Sequence, residues 1–350
     1  MGALKPNASI LIVLMGSLGD VARGLHLARS IKTQLPESKI TWLVEPASAE
    51  LVKVHPSIDR IIVFERRLSW GALRAVISEL RRDKFDLVLD LQRHFKSGCF
   101  SLLSGAPQRL GFNRRDAKEF NWVFNNQHIP AYGDALSKLE HYLKFAHHLG
   151  LSEQDFGSGL EQLDLAERLK KLSIEPGSPY LFIVLGSAWE SKDWLPSGYT
   201  ALLDRLCASL RYPLFLVGGP GHRNLGAELQ QRSGSDLVRS IAGETSLLDL
   251  IALIRYARAG VGPDSGPGHL ASALRVPYVS LFGATSPART APWGQANLVV
   301  RSSIGCSPCG FRKCPGLNRL CMRLISAESV MLKIAEALDQ GPIGHSQGQL

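Results

Sequence analysis

Two runs in this 350-residue chain set glycines and a short polar side chain, which suit an anion site, beside a carboxylate, which suits proton transfer or helix capping. The more informative is Gly262-Pro263-Asp264-Ser265-Gly266-Pro267-Gly268-His269. It follows a short apolar piece, Ala257 to Val261, and runs into a helical pattern from His269 to Leu274. A strand that breaks at glycines and restarts as a helix leaves N–H groups pointing outward at the helix start. With the positive end of the helix dipole, these donors make an anion site. Small and cyclic residues clear side chains from the path, so the phosphates of a nucleotide are expected here. The same residues also suit a plainer role, with Asp264 and Ser265 as helix caps and Gly and Pro setting the turn.

A second loop of this kind, Gly16-Ser17-Leu18-Gly19-Asp20, follows the apolar run Ser9 to Met15, which reads as a buried parallel strand. Gly16, Ser17 and Gly19 form a candidate phosphate or acceptor loop. The helix that follows carries Val21, Leu25, Ala28 and Ile31 on one face and Arg23, Arg29 and Lys32 on the other. The dinucleotide fingerprint GxGxxG is absent. Asp20 is either a helix cap or a carboxylate available for chemistry.

The elements around these loops alternate. Strands are expected at Ser9–Met15, Ile40–Val44, Arg60–Val63 and Asp86–Leu91, with helices at Leu18–Leu35 and Trp70–Arg82. Residues 104–133 are less regular, and helical patterns follow at Ala135–Leu149 and Gln162–Leu172. Ser173 to Pro179 reads as a linker. Beyond it the alternation restarts, with strands at Tyr180–Leu185, Pro213–Val217, Arg258–Val261 and Pro277–Phe282. Helices are expected at Ser197–Leu210, Asn224–Ser233, Ser246–Tyr256 and Gly268–Leu274. Such alternation predicts an α/β protein of two Rossmann-like domains with parallel sheets. The expected bounds are 1–173 and 179–325, then a helix over 326–340 that packs back on the N-terminal domain, and a tail over 341–350.

Composition fits a soluble two-domain protein, and no apolar run approaches the roughly 18 residues of a membrane span. Asp20 and Arg23 stand where a signal peptide would be cleaved, so the N-terminus reads as the first strand of a cytoplasmic protein. The net charge of +9 is uneven. Residues 53–118 hold 14 Lys/Arg against 7 Asp/Glu, and residues 301–323 hold five basic residues and no acidic ones. Such excesses suit an anionic partner: nucleic acid, an acidic membrane surface or a phosphorylated substrate. Arg74, Arg81 and Arg82 fit a solvated helix face, whereas Arg66-Arg67 and Arg114-Arg115 lie in expected loops.

Cys306, Cys309, Cys314 and Cys321 read C-x2-C-x4-C-x6-C. Four thiolates could close a structural zinc site, an iron–sulfur cluster is conceivable, and a loop of reduced thiols is the plainer alternative. Cys99 and Cys207 fall on helix patterns as core residues.

Taken together, the chain resembles glycosyltransferase family 9, the bacterial heptosyltransferases, over about residues 8–338. Four matches carry the resemblance: Gly16 to Asp20; Leu185-Gly186-Ser187-Ala188 with Lys192 and Trp194; Gly218-Gly219-Pro220-Gly221; and Gly262 to His269. The last continues through Ala271 to Leu274, Val276-Pro277 and Leu281 to Pro287. The chain departs from the family at Leu14, often basic, at His26, often proline, and at His222-Arg223, where an acidic residue is common.

The resemblance implies a GT-B fold of two facing Rossmann-like domains. It implies inverting transfer of a heptose from ADP-heptose to the anionic Kdo–lipid A or heptosylated core, with no catalytic metal, at the cytoplasmic face of the inner membrane. Asp20 matches the proposed base, which takes the acceptor hydroxyl proton. Ser187, Lys192, Asp264, Ser265, Gly266 and His269 match donor-binding positions, where N–H groups and cations stabilise the departing diphosphate. Arg66, Arg67, Arg93, Arg114 and Arg115 are the candidates for an acceptor bearing carboxylates and phosphates. The alternatives are another GT-B enzyme using a different nucleotide sugar, as transferase or epimerase, and more remotely a metal-stabilised nucleic-acid-binding protein.

Overall fold

The computed structural model describes residues 4–65, 69–133, 136–152 and 157–340. The chain divides into two units, Met1–Leu163 and Asp164–Leu350. The first holds strands β1 (Ser9–Val13), β2 (Lys39–Val44), β3 (Arg60–Val63), β4 (Leu87–Asp90), β5 (Gln108–Gly111) and β6 (Gln127–His128). All pair in parallel, in the order β3-β2-β1-β4-β5-β6. β1 is central, with Ile12 opposite Trp42 on one side and Leu89 on the other. A strand covered on both faces has no solvent side, which is why Ile10 to Val13 is an unbroken apolar run with no exposed residue.

The helix Leu18–Gln34 departs from the amphipathic reading, because helix Lys138–His148 packs along it and removes its solvent face. Arg23, assigned above to the polar face, is buried. Leu14, at the position where the family often has a cation, is buried too. A Cβ on Gly24 would come within 2.7 Å of Leu14 Cδ2 and 3.0 Å of the Trp42 ring, so glycine sets how closely this helix meets the sheet.

The second unit holds β7 (Leu181–Val184), β8 (Leu214–Val217), β9 (Val238–Ser240), β10 (Ala259–Pro263), β11 (Tyr278–Phe282) and β12 (Val299–Arg301). These are again parallel, in the order β12-β11-β10-β7-β8-β9. Counted from the first strand of each unit, the two orders are identical. Both match the doubly wound arrangement whose ligand crevice lies beyond the carboxyl ends of the two strands where the winding reverses.

The break between units precedes the expected linker. Helix Ala166–Lys171 packs on helix Leu247–Tyr256 of the second unit, and Arg168 Nη1 donates to Asp249 Oδ1 at 3.0 Å. The sequence reading sends the final helix, Ala327–Gln340, back to the N-terminal domain. The core that receives its Val330, Ile334 and Ala337 is that of the second unit, shared with helix Pro196–Ser209. The reason is spacing and connection: Val330, Ile334 and Ala337 form one apolar helical face, and it packs against helix Pro196–Ser209 of the unit it follows directly in the chain.

Candidate active site

In the first unit the winding reverses between β1 and β4, so the loops leaving those strands share one crevice. The β1 loop carries Gly16 to Asp20, and the β4 loop carries Gln92 to His94. They are joined directly: the Met15 N–H donates to Gln92 Oε1 at 2.7 Å.

Asp20 lies in the first turn of helix Leu18–Gln34, whose N-cap Ser17 forms no side-chain cap bond. Instead the Ser17 hydroxyl donates to Asp20 Oδ2 at 2.9 Å. Asp20 Oδ1 accepts from Arg23 Nη2 at 2.8 Å and from Lys138 Nζ at 3.0 Å. Its carboxylate therefore meets one hydroxyl and two cations, rather than serving as the cap that the plainer reading assigned. Burial would raise its pKa, but the charges of Lys138 and Arg23 and their hydrogen bonds outweigh it and hold the group far below the usual carboxylate range. A Cβ on Gly16 would stand 3.0 Å from Asp20 Oδ2, so a side chain there would push the carboxylate away. Burial pushes the pKa of Tyr142 up, and the charge of Asp20 acts in the same direction.

Among the described residues, Arg93 is the expected acceptor arginine on a loop that borders this crevice. Its backbone is left-handed, with φ 67°. Its guanidinium lies 5.4 Å from the Phe112 ring centroid and donates to Asp116 O at 3.3 Å. The turn is anchored by Asp90, a fully buried carboxylate that accepts from Asn121 Nδ2 at 2.6 Å, from Asn125 Nδ2 at 3.3 Å and from the Gln92 N–H at 3.2 Å. Burial raises the pKa of Asp90 despite these donors. Arg114 and Arg115 are exposed, Arg114 lying 5.1 Å from the Trp122 ring centroid. Arg66 and Arg67 lie outside the described residues.

In the second unit the reversal falls between β7 and β10. The β7 loop brings Ser187 and Lys192, and the β10 loop brings Asp264 to Gly266. The two loops meet where Lys192 Nζ donates to Asp264 Oδ2 at 3.4 Å. Thr285 Oγ1 donates to the same oxygen at 2.7 Å and Thr290 Oγ1 at 3.2 Å, while His269 Nε2 lies 3.7 Å from Asp264 Oδ1. Burial alone would raise the pKa of Asp264; His269, Lys192 and Thr285 hold it well below the usual carboxylate range instead. Asp264 is thus not a helix cap but the knot that ties four segments together. Ser265, the N-cap of helix Gly266–Ala273, forms no side-chain cap bond either, since its hydroxyl donates to Pro263 O at 3.0 Å. The first-turn N–H groups of that helix are left without a side-chain cap, as an anion site requires.

Ser187 serves the loop itself: its hydroxyl donates to Asp193 Oδ1 at 2.8 Å, and its N–H does so at 2.7 Å. Lys192 Nζ lies 5.1 Å from the Trp189 ring centroid. His222 packs over two glycines; a Cβ would come within 2.8 Å of it from Gly218 and closer still from Gly186.

The cysteine loop docks on this same surface. Gly310 N–H donates to Ala284 O at 2.7 Å, Ser307 Oγ to Gly283 O at 2.7 Å, and Ser191 Oγ to Phe311 O at 2.6 Å. All six cysteines are free thiols; Cys306 is exposed and Cys321 buried. The Cys321 thiol is pushed up by burial and by the neighbouring Cys306, Cys309 and Cys314, whereas backbone N–H groups of Arg319, Gly316 and Leu317 lower Cys314. Among the described residues no group of three or more His, Cys, Asp or Glu side chains is positioned to hold a metal ion. Cys99 and Cys207 are only partly buried, Cys207 packing against the core of the second unit.

The reading from sequence overlooked Lys138, Arg23, Thr285 and Thr290. The i, i+3 spacing of Asp20 and Arg23 was available as a signal; Lys138, 118 positions from its partner, offered none.

The chain matches the model of glycosyltransferase family 9 (heptosyltransferase) over residues 73–318. It is 30% identical over 322 residues to lipopolysaccharide heptosyltransferase 1 of Pseudomonas aeruginosa, with 87% of each chain covered. It is 27% identical to lipopolysaccharide core heptosyltransferase OpsX of Haemophilus influenzae, over 83% of this chain and 84% of that one. Among solved structures it is similar to Escherichia coli heptosyltransferase WaaC with ADP, with TM-score 0.77 and 22% identity, covering 94% and 99% of the two chains. ADP-heptose lps heptosyltransferase II of the same organism gives TM-score 0.75 and 22% identity, covering 95% and 99%. At such identity the likeness speaks for the fold, which is of GT-B type.

Proposed function

The chain belongs to glycosyltransferase family 9, and on that premise we propose that it is an inverting, metal-independent heptosyltransferase. Its donor is ADP-heptose and its acceptor the Kdo or heptose inner core of lipopolysaccharide, reached at the cytoplasmic face of the inner membrane as a peripheral protein. No helix among the described residues is long and apolar enough to cross a membrane.

One observation carries this reading: each unit gathers at its own winding reversal the groups that one half of the reaction needs. The first offers a carboxylate, Asp20, held by the cations Arg23 and Lys138, with Arg93 on the loop that leaves β4. The second offers helix N–H donors with Lys192 and His269. In the reaction the acceptor hydroxyl gives its proton to Asp20 while its oxygen bonds to the anomeric carbon, opposite the diphosphate. The bond from that carbon to the diphosphate oxygen breaks, and ADP leaves with the electron pair. N–H groups around Ser265 and Gly266, with Lys192, take up the charge that develops on it. Asp264 would repel phosphate; its work is to hold Lys192, His269 and the Thr285–Thr290 segment in place.

Calorimetric titration with ADP, UDP, GDP and dTDP tests the donor. Tight ADP binding that is lost on substitution across Ser265–His269 and kept in Asp20→Ala is the expected result, together with loss of transfer in Asp20→Ala. Full transfer by Asp20→Ala would remove it as base. A different nucleotide sugar is the second reading, favoured by His222, which packs over Gly186 and Gly218 in place of the usual acidic residue. Tighter binding of UDP, GDP or dTDP would decide for it.

For Cys306, Cys309, Cys314 and Cys321 the two readings are a structural zinc ion and a loop of reduced thiols, and the free thiols described above, no three of them placed to hold a metal, favour the thiols. Elemental analysis decides between them: metal-free active protein is expected, and one zinc per chain, lost in Cys314→Ser, would restore the zinc reading.

A further inference from the structure

Asp20 is the proposed base, yet its surroundings oppose that task. A carboxylate paired with two cations is a poor proton acceptor, and Oδ1 carries both of them, Arg23 at 2.8 Å and Lys138 at 3.0 Å. Among the described residues these two cations share the one carboxylate of Asp20. Arg23 also brings Nε and Nη1 into the interior, where neither has a hydrogen-bond partner among the described residues. Buried donors without acceptors cost free energy. Among the described residues the Asp20–Arg23–Lys138 cluster is therefore short of an acceptor.

The two cations differ in freedom. The Arg23 side chain is 9% exposed and that of Lys138 30%. Arg23 is fixed by the helix that covers it. Lys138 stands at the first position of helix Lys138–His148, with its ammonium at the solvent edge on a flexible stem.

We propose that Lys138 is an acceptor-sensing residue: it clamps Asp20 at rest and turns to an anionic group of the acceptor on binding, releasing Asp20 to take the hydroxyl proton. The inference rests on the heptosyltransferase reading, in which the acceptor carries carboxylates and phosphates. Chemistry is thereby tied to recognition, because a hydroxyl compound without the anion leaves the carboxylate clamped. Arg23 stays buried beside Asp20 and keeps the carboxylate oriented. Among the described residues Ser17 and Tyr142 also face Asp20. Tyr142 is buried with its pKa raised, so it stays neutral in the working range.

The test compares full-length wild type with Lys138→Met and Lys138→Arg, using Kdo-lipid A and the same acceptor with its Kdo carboxylates reduced to alcohols. With the charged acceptor, Lys138→Met raises KM about tenfold or more, the loss expected for one charge-assisted hydrogen bond, and Lys138→Arg restores most of it. Carboxylate reduction costs wild type a similar factor and costs Lys138→Met little further. The acidic limb of kcat/KM moves to higher pH in Lys138→Met, because the free enzyme's Asp20 has lost a cation; a residue that only supports the fold would not move that limb. An equal loss on both acceptors, or an unchanged KM, overturns the proposal. Failure of the heptosyltransferase reading looks different: wild type itself then transfers to neither acceptor, while ADP binding reports a folded chain.

Discussion

The two loops that begin with glycine and end beside a carboxylate, Gly16–Asp20 and Gly262–His269, are built alike and used differently. Each follows a central parallel strand, opens a helix whose N-cap lacks a side-chain bond, and sits at the reversal of winding. Asp264 is buried, and its oxygens meet two threonine hydroxyls as well as Lys192 and His269. Asp20 is 21% exposed at its side chain and, besides Ser17 and the buried Arg23, meets the partly exposed Lys138. A carboxylate surrounded on all sides is a structural knot; one with an exposed partner can change partners. The environment, not the motif, separates the two roles.

Removing each carboxylate breaks the comparison most directly. Asp20→Asn should lower kcat by about a thousandfold, as loss of a general base does, with ADP affinity unchanged by calorimetry. Asp264→Ala should act on the fold instead. It strands Lys192 and His269, costing about 3 kcal/mol or more in urea unfolding, and it weakens ADP binding. Equal behaviour of the two variants would erase the distinction.

Acid sharpens it. Both aspartates titrate far below the usual carboxylate range in the folded chain, so what they contribute is lost only as the unfolded chain protonates below about pH 5, and neither contributes to a loss of stability between pH 7 and 5. That loss falls on His55 in the first unit, which is buried, accepts from the Ser57 N–H at Nδ1 and bonds Ser158 O through Nε2. Burial pushes it down to about 4 from 6.5. The unfolded chain then binds more protons between those values, and stability falls as pH drops through them, by at most about 3 kcal/mol. His55→Gln should flatten the pH dependence of the thermal midpoint over that range. The smallest effect belongs to Gly16→Ala: its Cβ displaces Asp20 Oδ2, and kcat should fall about tenfold with the thermal midpoint nearly unchanged.

Much of this architecture is legible in the sequence because buried parallel strands cannot alternate. Ile10–Val13, Leu87–Leu89, Leu181–Val184 and Leu214–Val217 are apolar throughout, so their strands stand out. Of the strands that sequence reasoning missed, Gln127–His128, Val238–Ser240 and Val299–Arg301 are edge strands, where one flank is unpaired and polar residues are tolerated, and Gln108–Gly111 lies one strand in from an edge and opens on two polar residues. Both loops were visible as glycine punctuation. The partners of their carboxylates were not, since Lys138 and Thr285 reach them only through the fold. Arg23 misled for the same reason: a cation on a helix reads as solvated until a second helix covers it.

Arg93 carries a consequence of its own. A residue with a Cβ held at φ 67° stores about 1 kcal/mol of backbone strain, and the buried Asp90–Asn121–Asn125 network keeps it there. Glycine would occupy the position at ease. Arg93→Gly should therefore leave the protein no less stable by thermal unfolding while it discards the guanidinium. At this turn the fold gives up stability in exchange for one well-aimed positive charge.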